Sequence, residues 1–255
     1  MHNDQTGNQI GSVLAKKLET YFPLSPEELN GLAEIQSSPR IVKRGKRLTR
    51  EGQTGQKVFV LNDGWGCSYK DLPDGQRQII SFPIAGDCVG LRSVLLRTAD
   101  HSFSTLTNAV VSSLEGPRIV KCINEFPRLG AALLWAVSRE EAMVVEHLVN
   151  IGRRNSLERV AHFFMELAER LSLIGVATQA EFKCPLTQYV LADALGLSAI
   201  HVNRVLRELR ELDLLTLRKG GVRIHDLEGL RTLAGFQGGY LSLPSAITDH
   251  QMARA

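Results

Sequence analysis

No apolar run in this 255-residue chain approaches the roughly 20 residues that a bilayer-spanning helix needs. The opening segment MHNDQTGNQIGSV has neither the basic start nor the apolar stretch of a secretory signal. Both absences predict a soluble cytoplasmic protein with no membrane partner. Cysteine is sparse as well. The four residues Cys67, Cys88, Cys122 and Cys184 are scattered and none stands in a CxxC pair, which argues against a zinc ribbon, a thioredoxin-like motif or a sequence-local iron–sulfur site. They read as reduced thiols, with redox sensing the minor alternative. Enzyme signatures are also missing. There is no Gly-rich phosphate loop, no HExxH and no GxSxG, and Glu146 and His147 are chain neighbours rather than opposed across a cleft. The chain reads as a non-enzyme. Charge is nearly balanced, 30 Lys+Arg against 27 Asp+Glu, so nucleic-acid binding could show only as local clustering.

What is present changes texture twice. At 44% hydrophobic the chain can bury one or two cores, and its length favours two domains. Residues 1–11 are polar and read as frayed; a short helix follows over Ser12–Thr20. Ser25 is placed to cap a second helix, with Pro26 at its first position. From about Arg40, β-like runs (Lys57–Asn62, Cys67–Lys70, Gln78–Phe82, Ser104–Thr107, Arg118–Cys122) alternate with turns at Asn62-Asp63-Gly64, Pro73-Asp74-Gly75 and Ala85-Gly86-Asp87. Asp-Gly between such runs signals hairpins, and many short strands suggest a barrel or jelly roll. Arg128–Ile151 then reads as one long helix. Its apolar residues Leu133, Val137, Val144, Leu148 and Ile151 recur with helical rhythm. Val137, Val144 and Ile151 stand a heptad apart, as a two-helix seam requires, although a helix packed on its own barrel would also fit. Gly152–Asn155 reads as a hinge, Ser156–Leu173 as a helix, Gly175–Lys183 as a loop, and everything after Phe236 as a loose tail.

Residues 186–225 carry the functional pattern. Thr187 can cap a short helix with Val190, Leu191 and Leu195 inward, Gly196 supplies a turn, and Ser198 can cap a second helix. Val202, Val205, Leu206 and Leu209 fall on one side of that helix; Ile200, Asn203, Arg204 and Arg207 fall on the other. Two strands, Leu214–Leu217 and Val222–Ile224, flank Arg218-Lys219-Gly220-Gly221 and make a wing with a basic tip. Helix, glycine turn, helix and wing form the pattern of helix-turn-helix DNA readers. Arginine pairs bidentately with guanine and asparagine with adenine, while His201 and Ser198 suit phosphates. A small helical domain with a merely solvated polar face is the bland alternative.

The segment LTQYVLADALGLSAIHVNRVLRELRELDLL, together with EGQTGQKVFVLNDGWGCSYKDLPDGQRQIISFPIAGDCVG, resembles the Crp/Fnr family of transcription regulators; the resemblance runs from about Leu14 to Phe236. It implies an α+β architecture: a jelly-roll sensor domain at 12–127, a dimerisation helix and hinge at 128–152, and a winged helix-turn-helix at 153–236. A flexible tail at 237–255 would follow. It also implies a homodimer on palindromic double-stranded DNA, and RNA polymerase as a partner if the protein is an activator. Arg204 falls where the family aims an arginine at guanine, with Asn203 beside it. Ile200 stands where many members have glutamate and Ala199 where some have arginine, so a different half-site is expected. Thr187, Gln188, Ser198, His201, Arg207 and Lys219 complete the expected DNA-binding set. A barrel-based sensor or interaction protein that does not act through DNA is the alternative.

Cyclic-nucleotide-binding relatives hold the ribose with a glutamate after a glycine, and the phosphate with an arginine before Ser/Thr-Ala. Here Leu91 follows Gly90, and His101-Ser102-Phe103 replaces the arginine motif, which argues against cyclic AMP. Gly90, Arg92, His101 and Ser102 remain candidates for another effector. Haem would need axial ligands such as His101, His147 or His162, each of which reads more simply as a surface or core histidine. No metal site is expected, and the effector is left open.

Overall fold

Ser25 does cap the second helix, and the capping is complete. In the computed structural model, which describes residues 6–21, 23–55 and 57–241, the Ser25 hydroxyl accepts from Glu28 N while the Glu28 carboxylate accepts from Ser25 N. This capping box satisfies two donors that a helix start would otherwise orphan. The helix, α2 (Pro26–Ile35), follows α1 (Thr6–Glu19), which begins before the expected Ser12. Residues 1–5 of the expected frayed segment lie outside the described residues.

Eight strands follow: β1 (Arg40–Val42), β2 (Arg47–Thr49), β3 (Val58–Asp63), β4 (Gly66–Asp71), β5 (Arg77–Ser81), β6 (Cys88–Val89), β7 (Ser102–Thr105) and β8 (Ala109–Leu114). They form two four-stranded sheets, β1-β8-β3-β6 and β2-β7-β4-β5. The alternation along β3 shows how the core is divided. Phe59 and Leu61 meet Phe103 of β7 and Val111 of β8 in the sandwich interior, the two phenyl rings 6.3 Å apart. Val58 and Val60 face the other way, into Leu14 and Leu18 of α1 and Leu32 of α2. Buried on both faces, β3 is apolar at four consecutive positions.

Arg118–Cys122 is not a strand. It lies in α3 (Gly116–Glu125), which has Pro117 in its first turn and buries Ile119 and Cys122, one helical turn apart. The β-branched run suggested extended chain, but the helix-start proline and the three-residue spacing of the buried side chains prevailed. α4 (Pro127–Arg153) is the long helix expected from Arg128. Its first turns bury Leu129, Ala132 and Leu133 against α2, α3 and β8. Leu133 is therefore core and cannot line a seam. The exposed apolar residues of α4 are Leu134, Val145, Leu148 and Val149, with Val137, Val144 and Ile151 half-buried on the flank.

The described chain divides into two compact units. The first holds α1 to α3, most of the strands and α4 as far as Glu140; the second holds Tyr69–Ser81 and Glu141–Leu241. In the second unit α4 ends at Arg153, so Gly152 and Arg153 are helical and the break is confined to Arg154-Asn155. Asn155 then caps α5 (Ser156–Leu173), accepting from Leu157 N and Glu158 N. The expected loop at 175–183 contains β9 (Glu181–Lys183), which pairs with the wing. α8 (Leu227–Ala234) packs on α5. The tail is built as far as Leu241: Gly238–Leu241 is a 3₁₀ turn in which Leu241 is buried and the Tyr240 hydroxyl donates to Glu166. The rest of the expected tail, 242–255, lies outside the described residues.

His162 of α5 is only 2% exposed, and burial, with Arg154 and His147 adding to it, lowers its pKa from 6.5 to about 4. Glu146 Oε2 stands 3.5 Å from its Nε2, too long for a hydrogen bond, and Arg154 donates to that same oxygen. A histidine buried neutral is protonated first in the unfolded chain. Its contribution to stability is full above pH 6.5 and is lost as pH falls through about 4, on the order of 3 kcal/mol in all. Urea midpoints at pH 7 and pH 4.5 should therefore differ less in His162→Gln than in the wild type. Equal differences would remove His162 as the cause.

Candidate nucleic-acid interface

The interface starts from two capped helices. Thr187 caps α6 (Gln188–Leu195), its hydroxyl accepting from Val190 N, and Ser198 caps α7 (Ala199–Glu211), accepting from His201 N at 3.2 Å. Between them Gly196 takes φ 63° and ψ 38°, the left-handed conformation that ends a helix and that glycine adopts without strain. Leu191 and Leu195 of α6 and Val202, Val205 and Leu209 of α7 are fully or almost fully buried and lock the pair together.

The C-terminal end of α6 is tied down by side chains from distant segments. Arg159 of α5 donates to Leu195 O at 2.8 Å, Gln78 of β5 donates to Ala194 O at 3.0 Å, and Arg77 pairs with Asp193 at 2.6 Å. Donors at a helix C-terminus satisfy carbonyls that have no partner within the helix.

With one face locked inward, α7 presents the other outward. Ile200 is 83% exposed, and Asn203, Arg204, Arg207 and Arg210 are exposed beside it. Arg207 is held loosely by Glu211 at 3.5 Å. A shallow pocket of about 200 Å³ lies between α7 and the wing, lined by Gln188, Asn203, Leu206, Arg207, Arg210 and Thr216. Arg210 belongs to this surface although the motif reading passed it over; its position one turn after Arg207 was the available signal. Leu206, expected inward, is half-buried at the pocket's edge. The wing is β10 (Leu215–Arg218) paired with β11 (Gly221–Ile224), and β9 completes a three-stranded sheet. Its two-residue turn, Lys219-Gly220, has φ 50° and 75°, the positive pair of a type I′ hairpin, and it leaves Lys219 exposed at the tip.

The effector candidates stand elsewhere, in the first unit. Gly90 has φ 86°, and Arg92 begins a 3₁₀ turn, Arg92–Leu95. Asp100 takes up the two basic groups. Arg92 Nη2 lies 2.7 Å from one of its oxygens and His101 Nδ1 2.8 Å from the other, with Ser93 donating to the latter at 3.2 Å. Burial works against ionising Asp100, but His101 and Arg92 outweigh it and hold the carboxyl below its ordinary range. Ser102 is buried and accepts from Glu51 N. His147 and His162, the other histidines weighed for haem, lie near each other in the second unit, and burial lowers the pKa of each. Burial also pushes the Cys88 thiol up to about 12 and Cys184 up to about 11, so neither offers the thiolate that redox chemistry needs.

A Crp-like helix-turn-helix domain matches residues 158–233, and a cyclic nucleotide-binding domain matches 39–126. The nitrogen fixation regulation protein FixK of Rhizobium meliloti is 30% identical over 203 residues, 77% of this chain and 89% of that protein. The anaerobic regulatory protein of Haemophilus influenzae is 25% identical over 214 residues, 84% of this chain and 83% of that protein. In fold, the chain resembles FixK2 from Bradyrhizobium japonicum with a TM-score of 0.71, over 78% of this chain and 98% of that one, at 23% identity. Its capped α6–Gly196–α7 pair and its sheet sandwich are those of the two matched domains, and the chain belongs to the Crp/Fnr family of DNA-binding transcription regulators, which are not enzymes.

Proposed function

We propose that the protein works in the cytoplasm as a homodimer that reads a two-fold palindrome with α7 of each protomer. The arrangement of α7 carries this reading. Its buried stripe fixes the helix, and Asn203, Arg204 and Ile200 point outward from its first two turns, the part of a recognition helix that meets base edges. Arg204 suits guanine, Asn203 suits adenine, and the exposed Ile200 suits a thymine methyl. Thr187, Gln188, Ser198, Arg207 and Lys219 surround these readers and set the register through phosphates.

The division of labour follows the chain: sensor at 12–127, dimer helix and hinge at 128–152, DNA reader at 153–236. Arg92 and His101 are both engaged by Asp100, so neither stands open as a clamp for the phosphate of cyclic AMP. The effector of the sensor domain is of another kind. RNA polymerase is the further partner if the bound protein activates.

Selection from a random duplex library with purified, ligand-free full-length protein tests the proposal. The expected product is a palindrome with half-site centres about one DNA turn, roughly 34 Å, apart. Added cyclic AMP should change nothing. No enrichment even at low salt, where attraction to the backbone is strongest, would refute ligand-free reading.

A further inference from the structure

The imidazole of His201 is turned towards its own protein. Its Nε2 lies 3.0 Å from Ser156 Oγ, at the start of α5, and 3.0 Å from Arg204 Nη2, one turn along α7. His201 and Ser156 are half-buried, whereas Arg204 is exposed. A guanidinium only donates, so Nε2 accepts from Arg204, the Ser156 hydroxyl donates to the same nitrogen, and the ring proton sits on Nδ1. The backbone N–H of His201 is already committed to Ser198. Two side chains thus meet at one ring, Ser156 at the start of α5 and the outward Arg204, while the N-cap Ser198 holds the backbone of the same residue.

We infer that His201 is a positioning residue for base reading: anchored on Ser156, it holds the Arg204 guanidinium towards the N-terminal end of α7. This rests on the proposed role of Arg204 as a base reader. An unrestrained arginine loses much rotamer freedom on binding, and a side chain already held loses less. The hold also fixes the plane of the fork, which bidentate pairing with a base edge requires. A phosphate contact, the other use of a histidine here, would strengthen binding to every sequence alike.

The experiment measures full-length variants against three duplexes: the palindrome selected by the wild type, that palindrome changed at the base pair assigned to Arg204, and a random sequence. His201→Ala should weaken binding to the selected palindrome about 3- to 10-fold, the scale of one hydrogen bond, and leave the random duplex unchanged. His201→Gln, whose amide oxygen has two lone pairs and can accept from both Arg204 and Ser156, should restore most of the loss. Ser156→Ala should give a smaller loss of the same kind, and it keeps the test open if His201→Ala folds poorly. In an Arg204→Ala background, His201→Ala should change nothing.

Equal weakening on all three duplexes, no change on any, or an undiminished effect without Arg204 would each overturn the inference. If Arg204→Ala itself keeps its discrimination, the reading of Arg204 fails as well. If Arg204→Ala loses discrimination while His201→Ala is silent, only the positioning role fails.

Discussion

Leu148→Glu should convert the protein to a monomer and weaken its binding to a palindrome by about 100-fold or more, while its melting temperature stays close to wild type. Leu134, Val145, Leu148 and Val149 are 66%, 54%, 66% and 40% exposed on α4. At 100° per residue the four fall within about a third of the helix circumference, with Glu141 and Gly152 between them. Each such side chain contributes roughly 1.5–3 kcal/mol when fully removed from water. In a two-fold interface every residue acts twice, and the two introduced carboxylates, facing each other across the axis, add repulsion to the lost burial. Within one protomer position 148 packs on little, so the fold should survive. Sedimentation velocity gives the oligomeric state and a labelled duplex gives the affinity. A variant that stays dimeric with wild-type DNA affinity would place the dimer contact on another surface.

A heptad count alone does not say which positions of α4 one protomer leaves exposed. Val137, Val144 and Ile151 do recur every seven residues, but they form the half-buried flank; the exposed heptad is Leu134, Glu141, Leu148. A charged residue in the middle concealed it, and periodicity alone cannot say which of two adjacent stripes the same chain already covers. The strands were legible where Asp-Gly turns separate apolar runs, as in β3 and β5. β8 was not, because Ala-Val-Val-Ser-Ser does not alternate, although it pairs with both β1 and β3. The α6–α7 core and its caps could be read from local spacing, since capping and helical periodicity act over three or four residues. The Arg77–Asp193 pair, 116 residues apart in the chain, could not. Neither could the Asp100 contacts that occupy Arg92 and His101, which depend on how the 90–101 loop closes.

Arg204→Ala should abolish discrimination at one base pair of each half-site, at about 1–3 kcal/mol per half-site, or roughly 5- to 150-fold. The argument rests on where Arg204 stands. It shares an exposed face with Ile200, one turn earlier, and among the described residues no carboxylate holds it at contact distance, whereas Arg207 is drawn towards Glu211. The side chain it meets is an imidazole nitrogen that engages Nη2, so other guanidinium donors stay available to a guanine edge with no ion pair to break. Arg204→Lys should fail nearly as badly, because a single ammonium cannot make the paired contact to O6 and N7. Salt dependence separates the two possible roles. A base reader leaves the slope of log affinity against log salt almost unchanged when it is removed. A phosphate contact lowers that slope by about one unit and weakens all sequences together. Competition binding of the variant to the four duplexes that differ at that base pair, at two salt concentrations, decides between them. Four equal affinities with the slope kept would make Arg204 the reader, and a uniform loss with a shallower slope would make it a backbone contact.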